Sequence, residues 1–169
     1  MKNKNNSYRI IIPVFNDKES LNMLISEIYK ISQKLNYFFD ILIIDDYSSN
    51  HVEINTKDFS NKYISIHVLR LKQNIGHQKA IYIGLNYTIN HPVEKIIIMD
   101  SDGEDDPNYL EKLIKSNIDN NKNIVAKRIQ RKENFLFIFC YYLFKSIFRL
   151  LTGKNLNFGN FSVINFSHV

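Results

Sequence analysis

A chain of 169 residues is long enough for one domain with a buried core, and its 44% apolar and 23% charged residues exclude a disordered composition. The single cysteine, Cys140, excludes an internal disulfide and a cysteine-based metal site and points to a reducing compartment. A formal charge of +5 is compatible with nucleic acid, anionic lipid or a phosphorylated substrate as partner, and nucleic acid ranks last because no nucleic-acid-binding motif accompanies it.

The opening "MKNKNNSYRI" is polar and lacks the apolar core of a secretory signal. Strand-like runs follow at Tyr8 to Val14, Asp40 to Asp45, Ile64 to Leu71, Lys95 to Asp100 and Asn123 to Lys127. Most are continuous β-branched stretches rather than alternating ones, as expected of strands buried on both faces of a parallel sheet. Between the first two, Leu21, Leu24, Ile25, Ile28 and Leu35 recur at helical spacing behind Asn16 and Asp17 as caps. A second helix is expected from Gly76 to about Tyr87, with Ala80, Ile81 and Leu85 on one face. Asp106 followed by Pro107 reads as a cap and first turn, with Leu110, Leu113, Ile114 and Ile118 as the buried stripe. Strands alternating with helices predict one α/β domain with a mainly parallel sheet, whose ligands bind at the carboxyl ends of the strands.

The segment Asn134 to Gly153, "NFLFIFCYYLFKSIFRLLTG", is apolar and aromatic but carries Lys145 and Arg149. A spanning helix needs about 20 apolar residues with few charges. A helix lying in the membrane interface and a core helix covering the sheet are the two readings kept open. Positive charge gathers nearby, in "KRIQRK" from Lys127 to Lys132 and at Lys154.

Three stretches at strand ends have the chemistry of a site. In "KIIIMDSDGEDDP", Asp100 and Asp102 flank one residue, so a turn can aim both at one point. Mg²⁺ is usually held by one or two carboxylates together with substrate phosphates, and a wet acidic loop is the alternative. Asp106 reads as a helix cap, Glu104 as a solvated side chain, and Asp105 is open between these roles. In "IIDDYSS", Asp45 and Asp46 can accept from a base or a ribose, or bond their own turn. In "RLKQNIGHQKA", Asn74 and Gly76 make a tight turn into a helix whose N-terminus can receive an anion, beside His77.

Together with "IIIPVFNDKESL" and "NFGNFSVI", these stretches occur in the order and spacing of family-2 glycosyltransferases. The chain most resembles the branch containing dolichol-phosphate mannosyltransferase and bacterial polyprenyl-phosphate glycosyltransferases, from Arg9 to Ile164. The resemblance implies a Rossmann-like glycosyltransferase-A fold in a single catalytic domain over residues 1–169. Its nucleotide-sugar half would be about 1–128, and an acceptor- and membrane-facing helix would lie at about 134–153. It implies nucleotide contacts for Pro13, Phe15, Asn16 and Glu19, and base recognition for Asp46 with Asp45 behind it. Asn74, Gly76, His77 and Gln78 would lie beside the nucleotide and sugar. Asp100 and Asp102 would form the Asp-x-Asp motif for Mg²⁺ or Mn²⁺, with Asp105 near the sugar and Arg128 and Arg131 on phosphates. Gly159 and Asn160 fall at the "GDF" position. Departures are Tyr47 for the usual Gly, Asn160 for a common Asp, and Ser162 for a common Arg. The resembling enzymes continue past the point where this chain ends, at Val169; a C-terminally truncated form, a fragment gene and a reduced enzyme are the readings kept open.

The expected activity is metal-dependent, inverting transfer of a sugar from a nucleotide diphosphate sugar, UDP by family frequency, to polyprenyl phosphate. The expected place is the cytoplasm, peripheral at the inner face of the cytoplasmic membrane. Rival readings are a family-2 transferase with a glycan or other hydroxyl acceptor, an inactive nucleotide-binding fragment, and a receiver-like signalling module with "IIDD" as its acid pair.

Overall fold

The computed structural model of the chain describes residues 7–52, 54, 59, 61–126, 146–147, 150–151, 153 and 159–168. Strands β1 (Ser7–Val14), β2 (Phe38–Asp45), β3 (Ile64–Arg70), β4 (Lys95–Ile98), β5 (Ile124–Val125) and β6 (Ser162–Asn165) form one sheet in the order β3-β2-β1-β4-β6-β5. The pairs β1 with β2, β1 with β4 and β2 with β3 are parallel, whereas β6 runs antiparallel to both β4 and β5. The sheet is thus mainly parallel. Strand β6 is the element that hydrophobic runs did not predict, being short, half polar and antiparallel. The antiparallel return and the strand order also remove the receiver reading, whose doubly wound sheet has the order 2-1-3-4-5.

The continuous apolar runs are explained by burial on both faces. Ile10, Ile12, Phe39, Ile41, Ile43, Ile97 and Met99 turn to the side covered by α1 (Lys18–Leu35) and α3 (Leu110–Asn120). Ile11, Leu42, Ile44, Ile96 and Ile98 turn to the side covered by α2 (His77–Asn90). Helix α2 lies so close to β1 that a Cβ on Gly84 would sit 2.6 Å from Ile11 Cγ2. Asp17 caps α1 by accepting from the Ser20 amide at 3.2 Å. Asp106 caps a 3-10 turn, Pro107–Tyr109, that leads into α3.

One expectation about α3 is corrected. Ile118 is 47% exposed, and the residue buried at that level is Asn117. Asn117 Nδ2 donates to the Lys122 carbonyl at 2.6 Å and to Asn165 Oδ1 at 3.1 Å, so a polar tie to β6 replaces an apolar contact at the end of α3. At the amino end of the sheet, buried Arg9 donates twice to Asp40 Oδ2, at 2.6 and 2.9 Å, and once to the His91 carbonyl at 2.7 Å. That closes α2 onto β1 and β2.

Candidate functional site

The chain runs outward from β1 to β2 to β3, and α2 then carries it back to β4 on the free side of β1. The strand order therefore reverses between β1 and β4, and α/β sheets bind ligands at the carboxyl ends of the strands at such a reversal. A cavity of about 440 Å³ opens there. Its walls are Pro13 and Val14 at the end of β1, Phe15 and Asp17 after it, Asp46 after β2, Asn74, Gly76 and His77 before and at the start of α2, and Asp100, Ser101 and Asp102 after β4.

The loops that form it are tied together by their own polar groups. Asn16, at φ +56°, donates its backbone N–H to Ser48 Oγ at 2.9 Å and accepts from the Ser49 amide at 2.7 Å. This joins the β1 loop to the β2 loop. Asp46 is 3% exposed, and its two carboxylate oxygens accept from the backbone amides of Ile75 at 2.8 Å and Gly76 at 2.9 Å. It thus anchors the Asn74–Gly76 turn, in which Gly76 holds φ +89°. Asp45, below it, accepts from the Ser48 amide at 2.8 Å through Oδ1. Its buried Oδ2 has no hydrogen-bond partner among the described residues and lies 3.9 Å from Arg70 Nε.

In the acidic loop, Ser101 Oγ donates to the Pro13 carbonyl at 3.2 Å, holding the end of β4 to the end of β1. Asp102 Oδ1 accepts from the Glu104 amide at 2.9 Å. Asp105 accepts from the Asp100 amide at 2.9 Å and faces a second cavity, between α3 and β5–β6, that also includes Gly159. Asp105 is therefore a brace behind Asp100 rather than a wall of the first cavity. On the near side, Asn160 Nδ2 stands 3.1 Å from Asp100 Oδ2 and 2.9 Å from His77 Nε2, and Asn160 Oδ1 accepts from Gln78 at 3.2 Å.

Of the residues singled out in the sequence, Pro13, Phe15, Asp46, Asn74, Gly76, His77, Asp100 and Asp102 share the cavity. Asn16, Asp45, Gln78 and Asn160 adjoin it through the bonds just given, and Glu19 is exposed in the first turn of α1. Arg128 and Arg131, with the basic run 127–132, lie outside the described residues, as does Cys140. In the aromatic segment 134–153 the described residues include Ile147, Leu150 and Leu151, all exposed. No helix among the described residues is long and apolar enough to cross a membrane.

Sequence reasoning missed Ser101 and Arg70. Arg70 donates to the Ser48 carbonyl at 2.9 Å, contacts His51 Nδ1, and lies over the Tyr47 ring with its guanidinium carbon 5.6 Å from the centroid. It steadies Tyr47 at φ +67°, a conformation unfavourable for a bulky side chain. The signal was available: a cation ending a strand at the same edge as the acids.

The donor set at Asp100 and Asp102 is all oxygen, which suits a hard divalent cation. Among the described residues no group of three or more His, Cys, Asp or Glu is gathered as a cation site.

The chain is similar to known proteins. The transferase for undecaprenyl-phosphate 4-deoxy-4-formamido-L-arabinose from Pectobacterium carotovorum is 25% identical over 149 residues, 88% of this chain and 41% of that protein. The chain thus spans about two fifths of the length of the curated relatives it matches. Mannosyl-3-phosphoglycerate synthase from Rubrobacter xylanophilus superposes with a TM-score of 0.69 at 14% identity, covering 96% of this chain and 54% of that one. Glucosyl-3-phosphoglycerate synthase from Mycobacterium tuberculosis, in complex with Mn²⁺ and UDP-glucose, gives 0.63 at 13% identity, covering 96% and 57%. The fold is accordingly that of the glycosyltransferase-A enzymes. The family model described as glycosyl transferase family 2 matches residues 9–166, and the chain belongs to that family.

Proposed function

We propose that this chain is a catalytic domain, with its nucleotide-sugar half at about 1–128, that moves a sugar from a nucleotide diphosphate sugar to polyprenyl phosphate, inverting the anomeric centre. The observation that carries the reading is the pair Asp100 and Asp102 sharing one cavity with Phe15, Asp46 and the Asn74–Gly76 turn. Phe15, half exposed, offers a face for a base, and the amino end of α2 at His77 offers N–H groups to an anion.

Asp100 and Asp102 are the residues that would hold Mg²⁺ or Mn²⁺, which when bound supplies Lewis-acid neutralisation of the departing diphosphate. Arg128 and Arg131 would grip phosphate oxygens, since a guanidinium matches them bidentately. A phosphate acceptor is largely ionised near neutral pH, its second pKa being about 6, and so needs little help from a general base. Asn160, which cannot accept a proton, is compatible with such an acceptor. The Pectobacterium relative, named for undecaprenyl phosphate, and the UDP-glucose complex of the structural neighbour support the acceptor and donor classes. The exposed Ile147, Leu150 and Leu151 would bring the site to the membrane surface from its cytoplasmic side.

The test is Mn²⁺- or Mg²⁺-dependent sugar transfer to polyprenyl phosphate by the wild-type chain and by Asp102→Asn. Transfer by the wild type with a large loss in the variant is expected. Equal activity in both would sink the metal assignment, and transfer to a hydroxyl acceptor alone would sink the lipid-phosphate one.

A further inference from the structure

The antiparallel pairing of β6 sets residue 160 against the acidic loop. Ile98 pairs with Ser162, and continuing that register two residues past the strand brings Asn160 opposite Asp100. The side chain uses both ends of its amide there. Its Nδ2 lies 3.1 and 3.4 Å from the two oxygens of Asp100 and 2.9 Å from His77 Nε2, and its Oδ1 accepts from Gln78 Nε2 at 3.2 Å. Its backbone is held in turn, because buried Ser162 Oγ donates to the Asn160 carbonyl at 2.9 Å.

One neutral side chain therefore links β6, the end of β4 and the first turn of α2. We propose that Asn160 is a positioning residue for Asp100: it fixes the orientation of that carboxylate with an uncharged donor. This rests on the reading of Asp100 as a cation ligand. A carboxylate of the same shape at position 160 could not donate and would repel Asp100 until a cation lay between them. An amide allows the carboxylate to be in place before any cation arrives.

The experiment is thermal unfolding of the full chain as wild type, Asn160→Asp and Asn160→Ala, each in EDTA and in saturating Mn²⁺. In EDTA, Asn160→Asp is expected to melt about 4–8 °C below wild type, and Asn160→Ala to fall less. Mn²⁺ should raise Asn160→Asp by more than it raises wild type, because the cation relieves the new repulsion. It should raise Asn160→Ala by less, because Asp100 is no longer held. A packing role alone would lower both variants without changing the Mn²⁺ increment. Equal increments in all three chains, zero included, overturn the proposal. Should Asn160→Asp fail to fold, Mn²⁺ titration of Asn160→Ala decides: affinity about 3- to 10-fold weaker supports the role, and unchanged affinity overturns it. Neither measurement uses sugar nucleotide or acceptor. A chain that transfers nothing to polyprenyl phosphate therefore fails the functional reading while leaving this one measurable.

Discussion

Replacing Asp46 by Asn separates two roles that one residue could have. The carboxylate accepts one backbone N–H on each oxygen, from Ile75 at 2.8 Å and from Gly76 at 2.9 Å, and is almost wholly buried. In Asp46→Asn one oxygen becomes an NH₂ group. One of the two amides then loses its acceptor and meets a donor, and the other keeps a bond to a neutral rather than a charged acceptor. Hydrogen bonds to charged groups contribute about 1.5–3 kcal/mol, and a buried amide left unpaired costs about 1–3 kcal/mol. The expected loss is therefore about 3 kcal/mol. For a chain of this size that is roughly 6–12 °C in Tm. The assay is urea denaturation without any nucleotide, where the midpoint should fall with an unchanged slope. Nucleotide affinity should fall as well, since the Asn74–Gly76 turn lines the cavity. If Asp46→Asn stays within about 0.5 kcal/mol of wild type while nucleotide binding is lost, Asp46 reads the base without anchoring the turn, and the structural reasoning is refuted.

Three further outcomes are expected. Gly84→Ala drives a methyl to 2.6 Å from Ile11 Cγ2, between a helix and a strand that are both buried, and should cost about 1–3 kcal/mol in denaturant unfolding; a neutral or stabilising result would mean that α2 is not seated on β1 as described. Arg9→Leu leaves Asp40 largely buried without its cation and should cost about 3 kcal/mol, with part regained by adding Asp40→Asn; additivity of the two changes would show that the pair is not coupled. The Tyr8 phenol is pushed well above its ordinary value, mainly by burial and then by Tyr37 and Glu94. A folded-state value above the unfolded one gives stability that is complete below about pH 10 and is lost as pH rises beyond it. Tyr8→Phe should therefore flatten the fall in stability above about pH 10, and an unchanged alkaline limb would exclude Tyr8 as its source.

How much of this was legible in the sequence depended on the kind of contact involved. The runs of β1, β2 and β4 announced themselves because both faces of each strand are covered, so burial and β-branching coincide at nearly every position. The caps at Asp17 and Asp106 were legible because a capping bond is local, spanning two or three residues. Strand β6 was not, because Ser162 and Asn165 are buried through hydrogen bonds rather than through apolar area, and its partners lie far away in sequence. The same holds for Asn117: a helical stripe read by hydrophobicity assigns the position to Ile118, while the fold spends it on a polar tie. In the site, the residue types were found one by one, but not their mutual bonds. That Asp46 holds the turn before α2, or that Ser101 ties the end of β4 to Pro13, follows from where strand ends meet and not from spacing along the chain.

The division of labour among the acids follows from that meeting of strand ends. Carboxylates crowded at one sheet edge repel one another, and each would be costly if left without a partner. Asp45, Asp46 and Asp105 each accept from a backbone amide, Asp46 across to the turn before α2 and the other two within their own loops, which offsets their charge and holds the loops in place. Asp102 likewise accepts on Oδ1 from a backbone amide, that of Glu104 two residues on. Asp100 differs in meeting side-chain groups, Asn160 and His77. An exposed side-chain partner such as His77 can turn away at little cost, whereas a backbone amide fixed by a strand or a helix cannot. The acids held by backbone amides are thus the frame, and at Asp100 His77 on Oδ1 can give way to a cation while Asn160 keeps its hold on Oδ2. Backbone-anchored and side-chain-held acids therefore predict opposite results for Asp46→Asn and Asp100→Asn: the first should lower stability in EDTA more than it lowers the Mn²⁺ response, and the second should do the reverse.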